Sequence, residues 1–134
     1  MKNMNNPEII IKNSQIIEAI SSLPNQGPWA EELLKNDNQS IIISSLITSE
    51  EIGKKAELHE NYTDILFIQE RQEEIFIGGE ITDKLSIGPG EWRGENLINF
   101  RTHKVEKGDI MIIPKGVAHR HGKGKVKILV IKVA

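Results

Sequence analysis

The sequence predicts an all-β fold, an antiparallel sandwich or barrel of roughly eight or nine short strands. From residue 40 onward, apolar residues alternate with polar ones or form short runs, which is the pattern of strands. Gly-rich turns separate these runs at regular spacing. Ile is abundant whereas aromatic residues make up only 4% of the chain, a composition that favours strands over helices.

The composition excludes several classes of function. The chain has 134 residues, enough for one domain with its own core. Its formal net charge of −2 provides no basic field for nucleic acid or for an anionic membrane. It has no cysteine, which excludes disulfides, thiolate metal sites and a cysteine nucleophile.

The same composition suggests where the protein is found. No apolar segment has the length of a membrane span, and the first residues lack the apolar region of a secretory leader. We therefore expect a soluble, cytoplasmic protein with no membrane partner. The frequent Ile, Lys and Asn suggest a bacterial genome rich in A and T.

Two units are predicted along the chain. Residues 1–39 are expected to form an arm and short helices, packed on a β domain that spans residues 40–134. The arm contains an apolar run at residues 8–12, which is either a short edge strand or an extended segment. No chemistry is expected in the first unit.

Two short helices are predicted in this first unit. Asn13 or Ser14 caps the first. Its apolar face consists of Ile16, Ile17, Ile20 and Leu23. Pro28 suits the first turn of a second helix over residues 29–34, which Asn36 and the polar residues after it end.

The β domain is predicted to contain short strands joined by turns. The predicted strands cover residues 41–47, 54–58, 65–68, 73–77, 85–87, 97–105, 110–113, 117–121 and 126–133. A turn at residues 69–72 separates the third strand from the fourth. Residues 88–94 contain too many breakers for a regular element, so they are predicted to form a loop.

One stretch carries the strongest local signal. A turn at Gly108 leads into the strand at residues 110–113, and Pro114 with Gly116 then turns the chain. His119 and His121 follow two residues apart, so a regular strand places both on one face.

The spacing Gly108-x5-Pro114-x-Gly116-x2-His119 resembles the second signature motif of the cupin superfamily. Four residues at fixed offsets make this match fairly specific. The Asn that normally lies four residues after the His is Lys123 here.

An upstream stretch is similar to the first cupin motif in its opening. Gly53-x5-His59 has the family's spacing, and Asn61 stands at the position of the second motif His. Asp64 leads an apolar strand, as the family's acid does, but comes one residue early. The resemblance covers roughly residues 40 to 133 and implies a cupin-type antiparallel jelly-roll β-barrel with a short helical N-terminal extension.

The resemblance also implies a metal site. His59, His119 and Asp64 would hold one divalent metal, and imidazole with carboxylate suits Fe, Mn, Ni, Zn or Cu. It further implies a homodimer formed through edge strands. The metal would bind or transform a small polar molecule, carboxylate or sugar-like, as a dioxygenase, isomerase, decarboxylase or lyase does, since the fold does not select a reaction.

Two other interpretations stay open. The first is a non-catalytic module that binds a small ligand in the barrel mouth, without metal. The second is an interaction protein whose barrel is filled by its own side chains. Turnover that disappears on His119→Ala distinguishes catalysis from binding.

Several residues are further candidates for the site. Asn61, His103 or His121 would complete the metal ligands or line the pocket, and His103 is expected to point inward because it alternates with Val105. A lone His on a strand is also commonly a core or partly exposed residue.

The predicted loop at residues 90–94 has two interpretations. It is either a lid whose Glu91, Trp92 and Arg93 contact the substrate, or a loop pinned by one buried aromatic residue. Glu91 and His103 are the candidate proton carriers.

Overall fold

The computed structural model describes residues 8–49 and 55–134. These residues contain one helix, α1 (Asn13–Ser21), and twelve strands. The strands are β1 (Trp29–Lys35), β2 (Ile41–Ile47), β3 (Ala56–His59), β4 (Thr63–Ile77), β5 (Glu80–Thr82), β6 (Leu85–Gly88), β7 (Glu91–Gly94), β8 (Asn96–Ile98), β9 (Arg101–Glu106), β10 (Ile110–Ile113), β11 (His119–His121) and β12 (Val126–Val133). Within the described part of the chain, no helix has the length and apolar character needed to cross a membrane.

The strands form two antiparallel layers that share β4. One layer has the order β1-β2-β12-β4-β10, and the other has the order β6-β7-β3-β11-β4-β9. A separate pair consists of β5 and β8. The layers curl into a half-barrel with one short helix, which confirms the predicted antiparallel jelly-roll architecture.

Strand β4 joins the layers and contains a β-bulge. Its first half pairs with β12 and β10, and its second half pairs with β11 and β9. The register shifts where Lys127 pairs with Glu70 but Ile128 pairs with Ile68, and Arg71 has a φ of 67°. Because of the extra residue, even-numbered side chains point inward before the bulge and odd-numbered side chains point inward after it. The buried residues are Asp64, Leu66 and Ile68 before the bulge, and Glu73, Ile75 and Ile77 after it.

The core between the layers is built from the inward faces of the strands. Its buried residues are Leu46, Leu66, Ile68, Ile75, Ile77, Val105, Ile113, Val126, Ile128 and Val130. Helix α1 packs on the outer side, where Ile20 and Leu23 contact Ile47. The Lys127 ammonium donates to the Ile20 carbonyl at 3.2 Å, at the helix end where the dipole favours a cation.

The prediction of a second helix at residues 29–34 is wrong. This stretch is strand β1, paired antiparallel with β2 from Trp29↔Ile47 to Lys35↔Ile42. Its Ala, Glu, Leu and Lys residues are good helix formers, but propensity is a weak prior, and pairing with the edge of β2 overrides it.

Three predicted boundaries in the β domain also differ. Residues 69–72 form the bulge of a continuous strand, so no turn divides β4. Residues 91–94 form strand β7 because they pair with β3, so the expected loop is wrong there. The strand expected at 97–105 is divided at Asn99, whose φ of 56° interrupts it.

The first predicted helix is present as α1, but it differs from the prediction at its cap and on its apolar face. Residues 8–12 have no regular structure, and α1 begins after Lys12, which holds the cap position in place of Asn13 or Ser14. Ile17 is 60% exposed and takes no part in the apolar face. The domain division between residues 39 and 40 stays a prediction.

Candidate metal centre

A cavity of about 240 Å³ lies between the two layers. Strands β3, β7 and β11 line one wall, while β2, β4 and β12 line most of the other. The charged and imidazole side chains that face it are Glu57, His59, Asp64, Glu91, Arg93, His119, His121 and Lys132. The charged and imidazole side chains are therefore concentrated in this one cavity, within an otherwise apolar interior.

Strand β3 places two of these groups by simple alternation. Glu57 and His59 are two residues apart and face the cavity. Ala56 and Leu58 point the other way, into a small apolar cluster with Leu97 of the outer strand pair. Both faces of β3 are thus covered, one by apolar contacts and one by the site.

Strand β11 brings the third group beside them. His119 pairs with Glu57 across the ladder and is 2% exposed. The turn before β11 contains Gly116 at a φ of 75°, a conformation that glycine adopts at little cost. The amide of Gly116 donates to the His59 carbonyl at 2.8 Å, so this turn is tied to the strand that carries the site.

Four ligand-type atoms converge in the cavity. The Oε2 atom of Glu57 lies 3.6 Å from the Nε2 atoms of both His59 and His119. Asp64 Oδ2 lies 3.5 Å from His59 Nε2 and 4.0 Å from His119 Nε2. Ligand atoms of Glu57, His59 and His119 all lie within 4.8 Å of one another.

These distances fit a shared metal ion better than hydrogen bonds. A hydrogen bond to nitrogen is about 2.7–3.2 Å long, whereas two ligands in a tetrahedral shell with bonds of about 2.1 Å are about 3.4 Å apart. The Nε2 atom of His59 is buried and has no hydrogen-bond partner, although a neutral ring or an imidazolium would both need one. The donor set and its spacing therefore fit a divalent metal.

Two carboxylates outside this cluster orient the imidazole rings. Glu91 Oε1 accepts from His59 Nδ1 at 2.7 Å, and Glu73 Oε1 accepts from His121 Nδ1 at 2.7 Å. A proton on Nδ1 leaves Nε2 with a lone pair for a metal or ligand. Both histidine rings are thereby held with Nε2 available.

The electrostatic surroundings raise the pKa of His59. Burial acts to lower it, and so does the charge of Lys132. The side-chain interaction with the Glu57 carboxylate, whose Oε2 lies 3.6 Å from His59 Nε2, and the charge of Asp64 outweigh them. In metal-free protein, His59 therefore keeps its proton to a higher pH than an ordinary histidine, and a metal must displace that proton.

This pKa predicts how the stability of metal-free protein depends on pH. Protonated His59 stabilises the fold below the unfolded pKa of about 6.5, and the contribution is lost as the pH rises through the higher folded value. We expect the Tm of chelator-treated protein to fall as the pH rises from about 6.5 through the raised pKa of His59, and His59→Asn to flatten that fall. Thermal melts test this, with His103→Asn as the control that keeps the wild-type dependence. An equal fall in His59→Asn would contradict it.

The structure brings together the three predicted ligands, His59, Asp64 and His119. His121 lines the same cavity, as one interpretation expected. Asn61 does not line it, and its amide donates to the Pro89 carbonyl at 3.4 Å. Gly53, which opens the first motif, lies outside the described residues.

The expectation that His103 points inward is wrong. His103 is exposed, and only Val105 of strand β9 is buried. In the described part of the chain, β9 pairs with β4 alone, so it is an edge strand that the other layer covers only at its Val105 end.

Neither interpretation of residues 90–94 holds as stated, because residues 91–94 form strand β7 and not a loop. Glu91 and Arg93 face the cavity from a regular strand, opposite His59 and Glu57 on β3. Trp92 points away, and its indole N–H donates to a Glu60 carboxylate oxygen at 2.8 Å.

Sequence reasoning missed Glu57, Glu73 and Lys132. Glu57 lies two residues before His59, so alternation alone would have placed it on the ligand face. Lys132 continues the buried alternation of β12, and its ammonium lies 3.1 Å from Asp64 Oδ1. Glu73 alternates with Ile75 and Ile77, so the same argument would have placed it on the inward face.

The fold resembles that of several solved structures. Protein NMB1881 from Neisseria meningitidis has a TM-score of 0.61 at 11% identity, over 95% of this chain and 100% of that one. A cupin-2 domain containing protein from Shewanella frigidimarina has a TM-score of 0.56 at 17% identity, over 88% and 92%. Fe(II)-HppE with an alternative substrate has a TM-score of 0.58 at 11% identity, over 82% and 52%. No protein-family model matches the chain, and no curated protein matches its sequence.

These likenesses concern the fold and extend over most of the chain. They agree with the antiparallel half-barrel of the described residues. The chain therefore has the cupin fold.

Proposed function

We propose that the protein binds one divalent transition metal through His59, His119 and Glu57, with Asp64 as an additional ligand. The observation that carries this is the convergence of two imidazole nitrogens and two carboxylate oxygens, with His59 Nε2 buried and otherwise unpartnered. Nitrogen and oxygen donors without thiolate suit Fe, Mn, Ni, Zn or Cu. The set differs from the one implied by the sequence in adding Glu57.

We further propose that the metal holds a small polar molecule in the cavity. Two His with one or two carboxylates leave coordination positions open. A metal bound there would act as a Lewis acid on a carbonyl or carboxylate, or bind oxygen. The similarity to HppE supports this, because HppE was solved with Fe(II) and a substrate in the same fold.

The chain's own residues supply orientation and proton handling in this proposal. Glu91 holds the His59 ring, and its second oxygen, Oε2, is buried without a partner of its own. That oxygen is the best placed proton acceptor beside the metal ligands. His103 is exposed and loses this role.

The cavity argues against one alternative function and is compatible with the other. A barrel filled by its own side chains does not fit a space of about 240 Å³. A non-catalytic binding module uses the same cavity and differs from an enzyme only in releasing no product. A homodimer and a cytoplasmic location stay predictions.

Metal reconstitution tests the proposed function. Tag-free protein is stripped with a chelator, loaded separately with Fe(II), Mn(II), Ni(II), Zn(II) and Cu(II), and desalted. We expect close to one ion per chain for at least one metal, measured by mass spectrometry, together with a rise in Tm because the ion binds only the folded state. Substoichiometric content for every metal would overturn the proposal.

A further inference from the structure

We propose that the cavity selects a small carboxylate monoanion, held between the metal, Lys132 and Arg93. This inference rests on the proposed function, because the anion would share the metal with His59 and His119. It adds a substrate class and two residues that recognise it.

Lys132 lies on the inward face of strand β12. The buried residues Val126, Ile128 and Val130 precede it at alternate positions, and its side chain is 28% exposed. A lysine on a core-facing position is uncommon, because burying an ammonium costs free energy unless an anion compensates it. Asp64 accepts one of its three donor hydrogens, at 3.1 Å, so Lys132 can hold a second anion as well.

Arg93 faces Lys132 from the opposite wall. It pairs with Glu57 across the ladder between β7 and β3, and its Nη2 lies 3.4 Å from Glu57 Oε1. This separation is longer than a good N–H···O hydrogen bond of about 2.7–3.2 Å. With its side chain 52% exposed at the cavity mouth, Arg93 can turn its planar fork to a carboxylate, which it would bind bidentately.

The charges that line the cavity favour one negative charge on the ligand. The lining carboxylates are Glu57, Asp64 and Glu91, and the lining cations are Arg93 and Lys132, with Glu73 lying behind His121 outside the wall. With neutral imidazoles this lining has one excess negative charge. A divalent metal changes it to one excess positive charge, which a monoanion neutralises.

The size of the cavity limits the ligand further. A volume of 240 Å³ corresponds to about eight water molecules at about 30 Å³ each. The metal takes part of that space. A short-chain carboxylate fits the space that remains.

The test compares a matched anion and amide on Co(II)-loaded protein. Glycolate and glycolamide differ in charge and hardly in size, and Co(II) reports ligand binding through its visible absorption. We expect glycolate to bind at least about tenfold more tightly than glycolamide. Lys132→Met and Arg93→Met should each keep Co(II) and lose about tenfold in glycolate affinity, with little change for glycolamide.

Control variants separate this inference from the proposed function. Lys132→Arg should retain glycolate binding, and Lys104→Met, at an exposed position on β9, should behave as wild type. Unchanged glycolate affinity in both Met variants, with Co(II) fully bound, would overturn the anion site and leave the metal site standing. Failure of the wild-type protein to bind Co(II) and each of the five metals of the reconstitution test would overturn both.

Discussion

His119→Ala is expected to lower metal affinity by more than about 100-fold. This loss is larger than the roughly 10- to 100-fold loss caused by removing a residue that only hydrogen-bonds to a metal ligand. His119 is 2% exposed, and its Nε2 faces Glu57 and Asp64 inside the cavity. Alanine removes one of the two imidazole ligands. When the metal is lost, the carboxylates of Glu57 and Asp64 remain close together with no cation to offset their charge. The measurement is metal per chain after loading with one equivalent and desalting.

The matched control for this prediction is His103→Ala. His103 also lies on a strand, but it is exposed on β9 and far from the cavity lining. It should retain wild-type metal content and Tm. Full metal content in His119→Ala would contradict the proposed site, and equal losses in both variants would point to a general loss of folding.

Glu57→Gln is expected to weaken metal binding more than Asp64→Asn does. Glu57 Oε2 is 3.6 Å from both imidazole Nε2 atoms, whereas Asp64 is nearer to His59 than to His119 and shares its other oxygen with Lys132. We expect a loss of more than about tenfold for Glu57→Gln and a smaller one for Asp64→Asn. Both substitutions preserve size and remove charge.

Competitive titration against a metal-binding dye measures both affinities in parallel. The opposite ranking would mean that Asp64, the acid implied by the sequence, is the principal carboxylate ligand. Circular dichroism on each variant shows whether the strands are intact, so a folding defect is not mistaken for a ligand effect.

Local signals were enough to predict most of the fold and one side of the site. Short apolar runs located β2, β10 and β12, because a run of strand length between turn residues is typical of a strand that packs on a core. The spacing from Gly108 through Pro114 and Gly116 to His119, which resembles the second cupin motif, pointed to His119 as a site residue. These features depend on neighbours in the sequence.

The missed features depend on partners that are distant in the sequence. Both faces of β3 are covered, because the β5–β8 pair packs on Ala56 and Leu58 while the cavity lies on the side of Glu57. Residues 29–35 became a strand because β2 offered an edge. His103 is exposed because β9 is itself an edge.

The bulge in β4 sets a limit on how this protein can change during evolution. Asp64 belongs to the half of the strand before the bulge, whereas Ile75 and Ile77 after it align β11 and its two histidines. Deleting one residue between Gln69 and Gln72 would restore a single parity and turn the second half inside out. The number of residues between Asp64 and Glu73 is therefore fixed. Insertions and deletions among related proteins should occur in the connecting turns and not in this strand.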